Sequence, residues 1–356
     1  MPERPIAYFN PPKRLPFVQP QPPAGKPLIS LAINESPFGC SPRAIEAATA
    51  RLANPHRYPD PSSGALRAAI GDTFAIDPER IVCGNGSEEL LDVVGRMFVR
   101  PGDEIVMSQS GFFQFAVVAA RLGATLIRAP ERELVTDGDA LAALVTPRTK
   151  LIFLAIPNNP TGVSMPVAEV LRLHRALPST VVMLLDLAYG EYMQPGDLEA
   201  LTGLAATAEN IVITRTFSKA YGLAALRVGW LTAPEWMTPG LNMLRGVGNI
   251  NAVAQAAAAA AVDDQPFVSE VIAQTATERN FLAGEFARLD LETVVGLGNF
   301  VLTRFPDVDG RRVADLLPLA MEREGIWLRP VGEPGFANHC RIGVGTHPEN
   351  ILLVKT

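Results

Sequence analysis

IVITRTFSKAYGLAALRVGWLT, residues 211–232, carries the reading that decides the fold. Its β-branched start predicts a buried strand over 211–215, and the apolar run over 227–232 predicts another. Between them, just past the first strand, sits Lys219, flanked by the hydroxyls of Thr216 and Ser218 and followed eight residues later by Arg227. A lysine at such an edge is partly desolvated, which lowers its pKa and makes the amine competent to attack a carbonyl. Two hydroxyls and a guanidinium in one turn also form a plausible phosphate cup. A loop lysine with an ordinary ion pair is the plainer reading of this segment alone.

The same grammar extends outward. Short apolar strands predicted over 80–83, 104–107, 125–128, 150–156 and 181–186 alternate with helices over 87–98, 114–122, 139–144 and 167–177. Ser41 before Pro42 reads as a cap and first helical residue, opening a helix to about 53, with another over 62–74. This alternation predicts an α/β fold whose mostly parallel sheet is sandwiched by helices. After Pro239 the pattern changes to an alanine-rich helix over 252–262 and a long helix over 266–289. Strands over 292–295, 299–304, 326–329 and 341–344 surround a helix over 311–324, which predicts a smaller α+β domain. Residues 1–30 are rich in proline and read as an extended arm. The expected division is an arm over 1–30, a large domain over 31–245 and a small domain over 246–356.

Composition narrows the function classes. The chain has 356 residues, 48% hydrophobic, so it can bury more than one core. A net charge of −6 offers no footprint for nucleic acid. No apolar run approaches the roughly 20 residues of a membrane span, and the start does not read as a signal peptide, so a cytoplasmic location is expected. Cys40, Cys83 and Cys340 are far apart, as are the four histidines, so neither a disulfide framework nor a metal site is expected.

Further chemistry clusters at the predicted carboxyl ends of the strands, where open α/β sheets bind ligands. Gly84-Asn85-Gly86-Ser87-Glu88-Glu89 joins a strand to a helix, and the free N–H groups of Gly86 and Ser87 would bind one phosphate. A dinucleotide fingerprint needs glycine at position 89, which is Glu. An ordinary helix cap at Ser87 is equally compatible with this turn. Asn158-Asn159-Pro160 fixes an amide at the next edge, and Leu185-Asp186-Leu187-Ala188-Tyr189 ends an apolar strand in a carboxylate and a phenol. So apolar a run leading into Asp186 calls for a cationic partner such as a protonated pyridine nitrogen. A helix cap or turn former is its plainer role.

Taken together, these segments resemble a fold-type I pyridoxal-phosphate enzyme, specifically the class II aminotransferases of the histidinol-phosphate aminotransferase family, over nearly the whole chain. The resemblance implies the seven-stranded large domain of that fold, pyridoxal 5′-phosphate as cofactor, and a homodimer. It implies that Lys219 carries the cofactor as an imine, that Asp186 keeps the pyridine nitrogen protonated, and that Asn159 and Tyr189 meet the ring's phenolic oxygen. Gly86, Ser87, Thr216, Ser218 and Arg227 would be the phosphate cup, and Tyr58 would reach the phosphate of the neighbouring subunit. Arg341 matches the arginine that grips a substrate α-carboxylate, Arg329 one that meets a distal phosphate, and Asn34 lies at the mouth of the site.

Where the family carries a Thr-Tyr pair, this chain has Gly111-Phe112, and Phe112 can still stack on the ring. Phe113 and Phe115 read as helix-core packing. Tyr8 is the single tyrosine in the proline arm. The implied reaction is ping-pong amino transfer between a small-molecule donor, histidinol phosphate or an aromatic amino acid, and a keto acid such as 2-oxoglutarate. Alternatives are a threonine-phosphate decarboxylase-like enzyme, a catalytically silent ligand-binding domain and, weakened by Glu89, a nicotinamide dehydrogenase.

Overall fold

A computed structural model describes residues 19–307, 310–333 and 335–356. Strands β1 (Ile81–Gly84), β2 (Glu104–Ser108), β3 (Thr125–Ala129), β4 (Thr149–Ala155), β5 (Val182–Asp186), β6 (Ile211–Thr216) and β7 (Gly229–Thr232) form one sheet. Their spatial order is β1-β7-β6-β5-β4-β2-β3. Only β7 runs against its neighbours, β1 and β6. The predicted mostly parallel sheet is therefore present.

Burial of both faces explains why the inner strands β4 and β5 are so apolar, whereas β3 at the edge is only partly covered. Leu151, Phe153, Val182, Leu184 and Val212 pack with Leu90, Val93 and Val94 of the helix Ser87–Phe98 on one side. Their alternating neighbours Ile152, Leu154, Met183, Leu185, Ile211 and Ile213 pack with Val170, Leu173 and Leu201 on the other. Each such side chain contributes about 1.5–3 kcal/mol of transfer free energy. The charged pair Arg215–Glu191 is buried behind the site at 2.6 Å, with the Arg215 guanidinium over the rings of Phe74 and Trp230.

The second sheet is antiparallel, with β8 (Glu292–Val294), β9 (Phe300–Arg304), β10 (Arg329–Pro330) and β11 (His339–Gly343) in the order β8-β9-β11-β10. The long helix Gln265–Arg288 lends Leu282 and Phe286 to its core. The strand expected over 326–329 is split. Ile326–Trp327 pairs in parallel with Ile29–Ser30, buried Leu328 turns the chain, and Arg329–Pro330 joins β11. Pro330 lacks an N–H, which suits a short edge strand. The end of the expected arm thus forms a two-stranded sheet of its own with Ile326–Trp327; residues 1–18, including Tyr8, lie outside the described residues.

Arg227 does not belong to β7 as expected. It follows a 3-10 turn, Ala224–Leu226, and takes a left-handed conformation with φ +51°. Helices Asp197–Thr207 and Thr238–Leu244 were not anticipated. No described helix is long and apolar enough to cross a membrane.

Candidate active site

Asp186 closes β5, in register with Thr214 of β6, whose Oγ1 donates to its Oδ1 at 3.0 Å. At 2% exposed, the carboxyl is pushed up to about 7 by burial, while the Thr214 hydroxyl and the Ala188 N–H pull it down. Thr214 precedes Thr216 by two residues, so strand periodicity places both on one face; that spacing was the available signal for Thr214.

Lys219 is half-buried. Its Nζ donates to the carbonyls of Asn34 at 3.0 Å and Ile33 at 3.3 Å. Burial, followed by the charge of Arg341, lowers the amine to about 8. The Tyr189 ring centroid lies 5.8 Å from it. Titrating close to neutrality, this amine can both attack a carbonyl and move a proton.

Arg341 lies on β11 and reaches from the small sheet to the large one. Its Nη1 donates to Asn159 Oδ1 at 2.6 Å and its Nη2 to the Ala32 carbonyl at 2.7 Å. Its buried Nε has no hydrogen-bond partner, and neither does Asn34 Oδ1. Orphaned buried polar atoms at one place mark a site built to meet a polar ligand. Tyr189, 3% exposed, accepts a hydrogen bond from Asn34 Nδ2 at 2.8 Å, and burial raises its phenol. Asn159 and Tyr189 therefore engage different partners. Asn34 is 1% exposed, so it forms the floor of the site and not, as expected, its mouth. A backbone turn with φ +57° carries it inward.

The expected phosphate groups converge at the start of the helix Ser87–Phe98. Thr216 Oγ1 donates to Ser218 Oγ at 3.0 Å, and Arg227 Nη1 donates to the same oxygen at 3.4 Å. Gly86, at φ +83°, is the cap residue, with Ser87 in the first turn. A Cβ at Gly86 would stand 2.6 Å from Arg227 Nη2, so only glycine admits the guanidinium so close. Two hydroxyls, a guanidinium and a helix start fit one phosphate monoester. Glu89, read earlier as a missing glycine, accepts from the Asn85 N–H at 2.5 Å and from Asn249 Nδ2 at 2.7 Å, pinning the turn from behind.

Phe112 precedes the helix Phe113–Leu122 and is half-buried, with ring centroids of Phe113 at 4.9 Å and Phe115 at 5.7 Å. Phe115 is core, stacked on Phe153 at 4.5 Å. Phe113 departs from the core-packing expectation: it is half-buried and lies beneath the Arg329 guanidinium at 5.4 Å. Tyr58 is 97% exposed and lines an open cavity of about 420 Å³ with residues of the 51–57 and 248–253 segments, outside the Lys219 constellation. Sequence reading also missed Asn299, whose only signal is a polar residue between Gly298 and an apolar strand. It is wholly buried and donates to the carbonyls of Asn34 and Glu35.

Comparison with known proteins agrees with this geometry. The family model described as aminotransferase class I and II matches residues 26–354. The chain is 41% identical to a histidinol-phosphate aminotransferase of Rhodopseudomonas palustris (strain TIE-1), over 98% of this chain and 94% of that protein. It is 39% identical to one from Nitrobacter winogradskyi, with the same coverage of both chains. A crystal structure of histidinol-phosphate aminotransferase from Sinorhizobium meliloti in complex with pyridoxal-5′-phosphate superposes with a TM-score of 0.86 at 28% identity, covering 92% of this chain and 89% of that one. With a match this long, relatives this similar and the same seven-stranded scaffold, the chain belongs to the class I and II aminotransferase family.

Proposed function

We propose that this chain is a pyridoxal-5′-phosphate-dependent aminotransferase whose amino donor is histidinol phosphate and whose acceptor is 2-oxoglutarate. One observation carries the reading: the Lys219 amine and the buried Asp186 carboxyl share a site beside a phosphate-sized cup of Thr216, Ser218 and Arg227. The donor is supported by the histidinol-phosphate aminotransferases to which the chain is 41% identical.

In this reading Thr216, Ser218, Arg227 and the N–H groups at Gly86 and Ser87 would hold the cofactor phosphate, Asp186 would pair with the ring nitrogen and Lys219 would carry the aldehyde. When bound, the cofactor supplies a cationic ring that draws electron density away from the substrate Cα. A cation paired with Asp186 would offset the burial that raises its carboxyl, so the carboxylate would ionise and hold a proton on that partner. Lys219, as a free amine, would accept the substrate Cα proton at Nζ and pass it on. Arg341 offers its unpartnered Nε to the acceptor carboxylate. Phe112 would cover one face of the ring and exclude water, and Tyr189 and Asn159 would meet its phenolic oxygen.

Histidinol phosphate lacks a carboxylate, so Arg341 serves the keto-acid half-reaction and Arg329 the distal phosphate. Phe113 beneath Arg329 supports a second donor class, aromatic amino acids. The chain works as a cytoplasmic homodimer: its three cysteines are unpaired, as in a reducing compartment, and Tyr58, Met243 and Val247 are exposed apolar groups suited to a second copy. A donor panel decides the substrate. Faster keto-acid-dependent turnover of histidinol phosphate than of phenylalanine or tyrosine is expected. Preference for the aromatic amino acids rejects the first donor, and carbon dioxide release from a phosphorylated amino acid without amino transfer rejects the reaction.

A further inference from the structure

The segment 32–35 holds the site together through its carbonyls. Ala32 O accepts from Arg341 Nη2 at 2.7 Å, and Ile33 O and Asn34 O accept from Lys219 Nζ at 3.3 and 3.0 Å. The Asn34 side chain turns the other way, to the Tyr189 hydroxyl. Asn34 is left-handed at φ +57°. Asparagine tolerates such a backbone better than other non-glycine residues, so a modest brace suffices to hold the turn in it.

Asn299 does the holding. It is fully buried at the start of β9 and anchored there by the Val344 N–H, which donates to its carbonyl at 2.8 Å. Its Nδ2 donates across to Asn34 O at 3.0 Å and Glu35 O at 3.1 Å. The Asn34 carbonyl thus takes one hydrogen bond from Asn299 and another from Lys219.

We propose that Asn299 is a positioning residue, which pins the 33–35 turn so that its carbonyls grip the Lys219 amine and set the pH at which that amine gives up its proton. The proposal rests on Lys219 being the cofactor-bearing lysine. Two carbonyl acceptors stabilise an ammonium and oppose its desolvation. Without the Asn299 amide the turn relaxes, the acceptors withdraw, and the proton leaves at lower pH. The other groups facing the amine are Arg341 and Arg227, which favour its neutral form, Glu35 and Glu88, which favour its charged form, and Asp186 and Tyr189. Replacing Asn299 removes none of them.

The test uses the full-length chain freed of cofactor and labelled at lysine Cε, with the Lys219 resonance assigned from Lys219→Met. Its titration midpoint should fall by about half a unit or more in Asn299→Ala, a threefold or greater change in proton affinity, and by less in Asn299→Ser, which keeps one donor. Unchanged midpoints in folded variants overturn the proposal and leave Asn299 a packing residue. If neither variant folds, the unmodified chain still decides. Sharing the Asn34 carbonyl, the Asn299 side-chain amide resonances must move with the Lys219 midpoint, and a flat response overturns the proposal. Failure of the Lys219 assignment is read separately, as borohydride reduction of the loaded protein marking another residue.

Discussion

Gly86→Ala separates anion binding from folding. The added methyl would stand 2.6 Å from Arg227 Nη2 and 3.2 Å from Cζ, about 1 Å inside ordinary carbon contact distance at the nearer atom. Because the clashing atoms end a flexible side chain, the guanidinium retreats and the helix start stays in place. Its bond to Ser218 Oγ, at 3.4 Å, has no slack to absorb that retreat. Losing a charge-assisted hydrogen bond to phosphate is worth about 1.5–3 kcal/mol, or roughly a 10- to 150-fold weaker cofactor. Separately, alanine at φ +83°, ψ 162°, a region essentially restricted to glycine, strains the backbone by about 1–3 kcal/mol, which lowers the stability of the cofactor-free chain. Titrating that chain with pyridoxal 5′-phosphate by absorbance reads the first effect, and urea unfolding reads the second. A folded Gly86→Ala protein that binds the cofactor within twofold of the parent refutes the placement of Arg227 in the phosphate cup.

Lys219→Ala should abolish borohydride-stable attachment of the cofactor, seen by mass spectrometry; full labelling of this variant would remove Lys219 from its role. The raised Asp186 carboxyl means that the folded cofactor-free chain holds a proton which the unfolded chain releases above pH 4. That group therefore destabilises increasingly from about pH 4 to 7, and Asp186→Asn should stabilise the cofactor-free chain near pH 8 with a gain that fades towards pH 4; a pH-independent difference in urea midpoints contradicts this. Glu191→Gln leaves the Arg215 guanidinium buried without its carboxylate and should cost about 3–5 kcal/mol in urea unfolding, a figure not met if the loss stays below about 1. Val247, 94% exposed, should lie in the interface between copies, so Val247→Glu should shift sedimentation from dimer to monomer; a monomeric parent removes the homodimer.

Much of this architecture could be read from local signals. The helices Ser87–Phe98 and Ala252–Val262 match their expected spans because a glycine turn and a block of alanines mark them. Asp186 and Lys219 could be singled out in the sequence because polar groups at or just past the ends of apolar strands stand out against their surroundings. What the sequence hides is long-range. The helix Asp197–Thr207 has little contrast between its faces, as Thr202 and Gly203 interrupt its apolar residues. Nothing beside Asn34 reveals that its amide will meet Tyr189, 155 positions away, or that Asn299 will span 265 positions to brace it. Phe113 resembles its core neighbour Phe115 until the small sheet brings Arg329 over it. Hydrogen-bond partners chosen by tertiary contact leave no periodic trace.

Because β7 descends where its neighbours rise, the backbone never departs from the ligand edge between Thr216 and Gly229. A parallel successor would require a crossover of a dozen or more residues along one face of the sheet. Reversal dispenses with that detour, and residues 216–227 supply Thr216, Ser218, Lys219 and Arg227 from one uninterrupted span. Lengthening or trimming this span would dislodge the amine and the anion grip in the same stroke, so the two can be adjusted independently by changing side chains but never by changing loop length.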